Sequence, residues 1–240
     1  MNISEMHYNF KLKLNKIDSQ EKRNFQVPEI DYLLNEAQYI AIKTIAEPRY
    51  RTMLGFESSQ RNVDDISTIV ITPDYVSESG PGIIKVINNI VTLPTDYMFF
   101  LRGRCGMKKD TCEERLCEFV RRKHNDNFEE SPFDRSSFEW RRINGIFVKE
   151  GIRLFPDKEA TTFFLSYIKR PVYMHNAKDF NQQKYKNFDG TMLVGQVNCE
   201  LPNQLHSEIV DIAVLLASGA IQAQDFNIQQ YKMSLNQLTN

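Results

Sequence analysis

Four cysteines and four histidines are the side chains in this chain best equipped to hold a metal or activate a substrate. Cys105, Cys112 and Cys117 lie near one another with His124 following, and thiolate with imidazole is a zinc donor set. The gaps between the cysteines are wider than the short C-x-x-C knuckle that points two thiolates at one ion. A zinc-dependent enzyme therefore rests on donor types alone, and reduced, half-buried thiols are the plainer reading. Cys199, Glu200, His206 and Glu208 stand at the head of an apolar run and suggest the rim of a metal or acid–base site. On a helix, however, His206 and Glu208 are two residues apart and diverge. Glu208 then complements the helix dipole, and His206→Ala is expected to cost little. His7 and His175 share no spacing with the others.

The nucleophile elbow, the Gly-Lys phosphate loop, the two-histidine zinc helix and the dinucleotide glycines have no counterpart in the sequence. Gly80-Pro81-Gly82 reads as a turn, and the acid pairs Asp64-Asp65, Glu113-Glu114 and Glu129-Glu130 as solvated charge. The expectation is a protein that is not an enzyme and needs no cofactor or metal. Two basic clusters stand apart: Arg102, Arg104, Lys108 and Lys109, and then Arg121, Arg122 and Lys123. Such patches can touch phosphates without reading bases, as in a non-sequence-specific nucleic-acid-binding module. They can equally be solvated loops balanced by Glu113, Glu114 and Glu118.

Helical patterning lies toward both ends. In "VPEIDYLLNEAQYIAIKTIAEP", Pro28 suits a first turn, and Glu29 and Asp31 place negative charge at the positive end of the dipole. Ile30, Leu33, Leu34, Ala37, Ala41 and Ile45 form one apolar stripe, and Glu47-Pro48 ends the helix. Near the other end, Pro202 precedes a cap at Asn203, and Leu205, Ile209, Ile212, Ala213, Leu216 and Ala220 follow helical spacing. Val210, Val214 and Ile221 widen that stripe, so this helix has to be covered on more than one side. Gly219 stands near its end, with Asp225 a cap for a further polar helix.

Between these lie β-rich runs. Ile83–Leu93 and Tyr97–Arg104 are separated by a turn at Pro94-Thr95-Asp96, and Asn144-Gly145 and Lys149-Glu150-Gly151 punctuate a later set. The expectation is an antiparallel sheet with one buried face. Residues 106–137, charge-dense and broken at Ser131-Pro132, read as an excursion from it. The fold class is α+β: a helical core from the N- and C-terminal helices with a central antiparallel β-rich insertion. Its parts are residues 1–80, 81–172 and 173–240.

The totals agree with a folded chain. Its 240 residues, 41% hydrophobic and 11% aromatic, exceed what a disordered chain carries. Thirty basic residues against 31 acidic ones leave a formal charge of -1, so any contact with nucleic acid or lipid must be local. Ile209–Ile221 is too short to span a bilayer, and Met1–Phe10 lacks the apolar core of a signal peptide; a soluble intracellular protein is expected.

Taken in order, "IDYLLNEAQYIAIKT", "VTLPTDYMFFLRGRC", "RRKHNDNFEESPFDRSS", "GIRLFPDKEATTFFLSYIKRPVYM" and "ELPNQLHSEIVDIAVLLA" resemble the head-to-tail adaptor proteins in the necks of tailed bacteriophages, in particular the ring proteins of crAss-like phages. Within that resemblance "LPTDYMFF" matches a strand-turn-strand, "SYIKRPVYM" the last strand leaving the sheet, and "LHSEIVDIAV" a terminal docking helix. It implies a structural virion protein, a homo-oligomeric ring of twelve copies that binds the portal and neighbouring neck or tail ring proteins and extends the genome channel. It would assemble in the host cytoplasm and make no membrane contact. Leu205, Ile209, Ile212 and Leu216 would carry subunit or portal docking, and Arg102, Arg104, Lys108 and Lys109 would face the DNA.

Overall fold

The computed structural model describes residues 1–17, 25–46, 66–77, 79–110, 113–122, 133–180, 185–187 and 190–220. The fold is α+β, with two compact units: Met1–Thr68 with Pro171–Asn240, and Ile69–Arg170.

Three helices build the first unit among the described residues: α1 (Ile3–Ile17), α2 (Val27–Ala46) and α3 (Asn203–Ala220). The sequence reading passed over α1, although its signals are local. Asn2 and Glu5 cap it reciprocally, Glu5 N donating to Asn2 Oδ1 (2.8 Å) and Asn2 N to Glu5 Oε2 (3.1 Å). Ile3, Met6, Phe10 and Leu14 then recur at helical steps and are buried. In α2 the expected stripe is buried at Ile30, Leu34, Ala37, Ala41 and Ile45, while Leu33 is half-buried. The proposed stop at Glu47-Pro48 lies outside the described residues, as do Asp225 and the polar segment beyond it. In α3, Asn203 does not cap through its side chain; its Oδ1 accepts from the Met1 amine at 2.8 Å. Both α1 and α2 pack on α3, where Leu205, Ile209, Val210, Ala213, Val214 and Ala217 are buried. Strands β9 (His175–Asn176) and β10 (Gln196–Val197) form a short antiparallel ribbon in this unit.

The second unit is a curled eight-stranded sheet. Its strands are β1 (Val70–Ile71), β2 (Ile83–Lys85), β3 (Ile90–Val91), β4 (Tyr97–Asp110), β5 (Glu113–Arg121), β6 (Arg142–Val148), β7 (Gly151–Phe155) and β8 (Glu159–Lys169). The order is β1-β8-β4-β5-β6-β7-β3, with β2 also on β8. The expected single run Ile83–Leu93 is split by a two-residue turn: Asn88 (φ 52) and Asn89 (φ 60) are both left-handed, and Ile87 and Ile90 exchange backbone hydrogen bonds across them. This hairpin carries the chain from β8 to β7, so strands from distant places in the order share one core.

Three expectations are corrected here. The sheet is mixed, because β5 and β6 run parallel, joined through residues 122–141, a connection long enough to return the chain in the same direction. Most of the first half of the supposed excursion is sheet: β4 runs to Asp110 and pairs with β5 (Glu113–Arg121). Its charges sit on the outer side while Cys105, Met107, Cys117 and Phe119 turn inward. Asn144-Gly145 is no turn but the middle of β6. Asn144 is wholly buried, donating through Nδ2 to the Asp134 carbonyl (2.7 Å), and Gly145 leaves room for an aromatic ring. In addition, β8 is buried on both faces from Phe163 to Ile168 rather than alternating, with Tyr75 against Phe164.

The core is aromatic. Phe119 meets Phe163 and Phe100 edge-on at 5.4 and 5.5 Å, and Phe100 meets Phe147 likewise. Two strand glycines allow these rings to approach. A Cβ on Gly103 would stand 2.6 Å from Phe163, and one on Gly145 would stand 2.6 Å from Phe119 and 2.7 Å from the Arg153 carbonyl. Gly145→Ala is therefore expected to lower the unfolding free energy by about 1–3 kcal/mol. Urea denaturation would measure it, and an unchanged midpoint would mean that the ring and carbonyl yield freely.

Candidate functional site

The outward face of α3 and the cations of β4 are the surfaces that the sequence offered for docking and for DNA. Of the four docking residues, Leu205 (2% exposed) and Ile209 (0%) are spent on the chain's own core. Ile212 and Leu216 are half-buried, as is Leu215, and these three leave apolar area toward solvent. Beside them Lys13 pairs with Asp211 at 2.7 Å, tying α1 to α3.

Arg102, Arg104 and Lys108 share the outer side of β4, and Lys109, next to Lys108, is exposed beside the register irregularity at Lys108/Asp110; three of the four have companions. Arg102 pairs with Glu118 (3.0 Å), Lys109 pairs with Glu139 (3.2 Å), and the Arg104 guanidinium lies 4.8 Å from the Tyr75 ring centre. Lys108 stands in register with Glu114 and Glu159. In the second cluster Arg121 covers Phe147 at 4.5 Å and Arg122 pairs with Asp134 at 2.9 Å, while Lys123 lies outside the described residues. Among the described residues, the positive charge of these two clusters is thus largely matched at short range.

The thiols have little nucleophilic character. Cys105 and Cys117 face each other across β4 and β5, both buried and free. Burial pushes Cys105 up to about 12 and Cys199 up to about 11, and raises Cys117. Cys112 and His124 lie outside the described residues. Among the described residues no group of three or more His, Cys, Asp and Glu is placed to hold a metal.

His206 departs from its expectation: it is buried, not a dispensable first-turn residue. Its Nε2 donates to the Leu201 carbonyl at 2.8 Å, so Nδ1 is bare and takes the Met1 amine at 3.0 Å. Burial lowers its pKa, and the nearby positive amine adds to that. His175, also buried, is lowered by burial too.

Sequence reasoning missed the most elaborate polar arrangement. Asp31, read there as a dipole complement, is wholly buried and accepts three hydrogen bonds. His7 Nε2 donates to Oδ1 at 2.7 Å; the Asn176 N–H and the Tyr185 hydroxyl donate to Oδ2 at 3.0 and 2.7 Å. Burial and the adjacent carboxylate raise the Tyr185 pKa. One turn along α2, Asn35 donates to the Met174 carbonyl and accepts from its N–H, as a strand partner would. A His–Asp–Tyr trio invites an acid–base reading. With exposures of 5%, 0% and 4%, these residues are shut away from solvent, and what they do is join α1 and α2 to β9 and Tyr185.

The described surface is thus one of packing faces and matched charges. Residues 1–229 match the family model described as phage tail ring protein 3/4. The chain belongs to this crAss-like phage ring protein family. No curated protein matches it. As a phage tail ring protein it is a structural component of the virion, of no known enzyme class. Among the described residues of this ring protein, no helix is long and apolar enough to cross a membrane.

Asp31→Ala in the ring protein should strand its buried donors and cost about 3–5 kcal/mol, with Tyr185→Phe costing less; chemical denaturation would measure both. The histidines set a pH dependence. Their folded values are depressed below the ordinary 6.5, so their contribution is complete above that value and is lost as pH falls through it. The urea midpoint should drop between about pH 7.5 and about pH 5.5, and His206→Gln should flatten that slope while lowering stability at the upper pH.

Proposed function

We propose that this ring protein is a connector subunit at the head-to-tail interface: it docks on the portal, closes a ring of twelve copies and continues the genome channel. Assembly would take place in the host cytoplasm, with adjoining neck or tail ring proteins as further partners. The observation that carries this reading is the family match across residues 1–229. Ile212, Leu215 and Leu216 support it as the part of α3 left over for a neighbour, with Leu205 and Ile209 bracing the helix from within.

Arg102, Arg104, Lys108 and Lys109 are the candidate contacts with passing DNA. Their matching by Glu118, Glu139 and Tyr75 favours weak, sliding contact over retention. Four unmatched phosphate contacts would give a log–log salt slope near about -3.6, and a much shallower titration is expected here.

Mixing the purified chain with portal and weighing the products by native mass spectrometry should reveal a ring or a portal-bound species. A chain that stays monomeric and ignores the portal would overturn the reading. Ile212→Asp should preserve the helical circular dichroism yet abolish that association, since it puts a carboxylate into a contact that excludes water.

A further inference from the structure

The segment Phe133–Arg142 is a built corner whose two largest side chains, Phe133 and Trp140, are mostly exposed. Ser137 and Arg142 exchange backbone hydrogen bonds at 2.8 and 3.0 Å, closing a tight turn. Trp140 N donates to Ser137 Oγ (3.3 Å), Arg141 N donates to the Phe138 carbonyl (3.2 Å), and Arg141 is held left-handed at φ 51. Inside the turn Phe138 is buried at 1% exposure, with the Arg115 guanidinium 4.7 Å from its ring centre. Glu139 ties the turn down by accepting from both Lys109 and Arg115. The result throws Trp140 outward at 80% exposure, and Phe133, whose carbonyl accepts from Arg142, stands out at 83%. These bonds hold Arg141 in a conformation that non-glycine residues seldom adopt.

Charge and shape point to what covers it. Asp134 and Glu139 are taken up by Arg122, Arg142, Lys109 and Arg115. Arg135 and Arg141 are exposed and make no ion pair among the described residues, so the corner offers two bare aromatic rings with positive charge beside them. The complement exists elsewhere on this same chain. On α1 an exposed stripe carries Tyr8 (68%) and Leu12 (41%) next to Glu5. A groove of about 360 Å³ lies there, lined by Met1, Asn2, Ser4, Glu5, Tyr8 and Asn9.

We propose that the Phe133–Arg142 corner is a subunit contact, received by the α1 groove of a second copy of this chain. Trp140 enters beside the neighbour's Tyr8, and Arg141 faces its Glu5. The two patches are unlike, so the contact is head-to-tail, the type that closes into a ring when its rotation allows. Aromatic anchors flanked by arginine are also the side chains that dominate such interfaces. This inference rests on the ring reading.

The test is assembly with portal, followed by native mass spectrometry against chain concentration. Trp140→Ser and Tyr8→Ser remove exposed groups, so both variants should fold normally and need about tenfold more chain or worse for half-assembly. Arg141→Glu should do likewise. Unchanged assembly of Trp140→Ser and Tyr8→Ser would overturn the proposal. So would an intact ring in Trp140→Ser accompanied by loss of binding to a labelled single-stranded oligonucleotide, which would make the corner a nucleic-acid site. A wild-type chain that forms no ring with portal would fail the ring reading itself, before any variant is compared.

Discussion

A carboxylate that never meets solvent organises the helical unit. Burying Asp31 costs several kcal/mol unless its oxygens are filled, and the three groups that fill them come from α1, from β9 and from Tyr185. None is near Asp31 in sequence, so the charge is compensated only when the two distant parts of the chain have come together. That makes the unit's closure cooperative. Asn35 extends the same logic along α2, taking both backbone groups of Met174 where no long strand exists to do so.

The strand unit solves a different problem. Its core holds Phe100, Phe119, Phe147 and Phe163 in edge-on contact, and rings of that size fit inside a tightly curled sheet only where a neighbouring strand gives up its side chain. Gly103 and Gly145 do so. Past the register shift between Phe100 and Arg102, alternation sends Arg102, Arg104 and Lys108 outward on β4, and it sends Glu114 and Glu118 outward on β5. There opposite signs meet on adjacent strands and cancel at short range. A surface of this kind presents many charges and little net field, and in the proposed channel it would hold a passing polyanion only weakly.

How much of this was legible in the sequence depended on whether the signal was local. The helices α2 and α3 announce themselves through apolar spacing, and the turns at Pro94–Asp96 and Lys149–Gly151 through their residue types. The α1 helix carries an equally local signal in Asn2, Glu5 and the stripe from Ile3 to Leu14, although its many polar residues give it a low mean hydropathy. The β5 strand was misread for a physical reason: with one face to solvent and ion-paired, its charge density imitates a loop. Other features had no local signature at all. Asp31 near a helix start looks like any dipole partner until His7, Asn176 and Tyr185 arrive from afar. The parallel β5–β6 pairing and the burial of Asn144-Gly145 are likewise consequences of tertiary closure. Among the docking residues, periodicity identified the apolar stripe of α3 but could not say which part the chain would keep for itself.

That division bears on how a ring of such subunits would hold together. Fully burying an Ile or Leu is worth about 1.5–3 kcal/mol. Leu205 and Ile209 have already used theirs internally, and Ile212, Leu215 and Leu216 retain only a fraction. A single contact through α3 is therefore modest, too weak to hold two free chains together at ordinary concentration once the entropy of association is counted. A subunit entering a ring on a template meets two neighbours and the template at once, and the later contacts form at high effective concentration. In the proposed ring, weak individual faces with strong collective closure would keep the chain from forming stray oligomers in solution and would confine assembly to a symmetric platform.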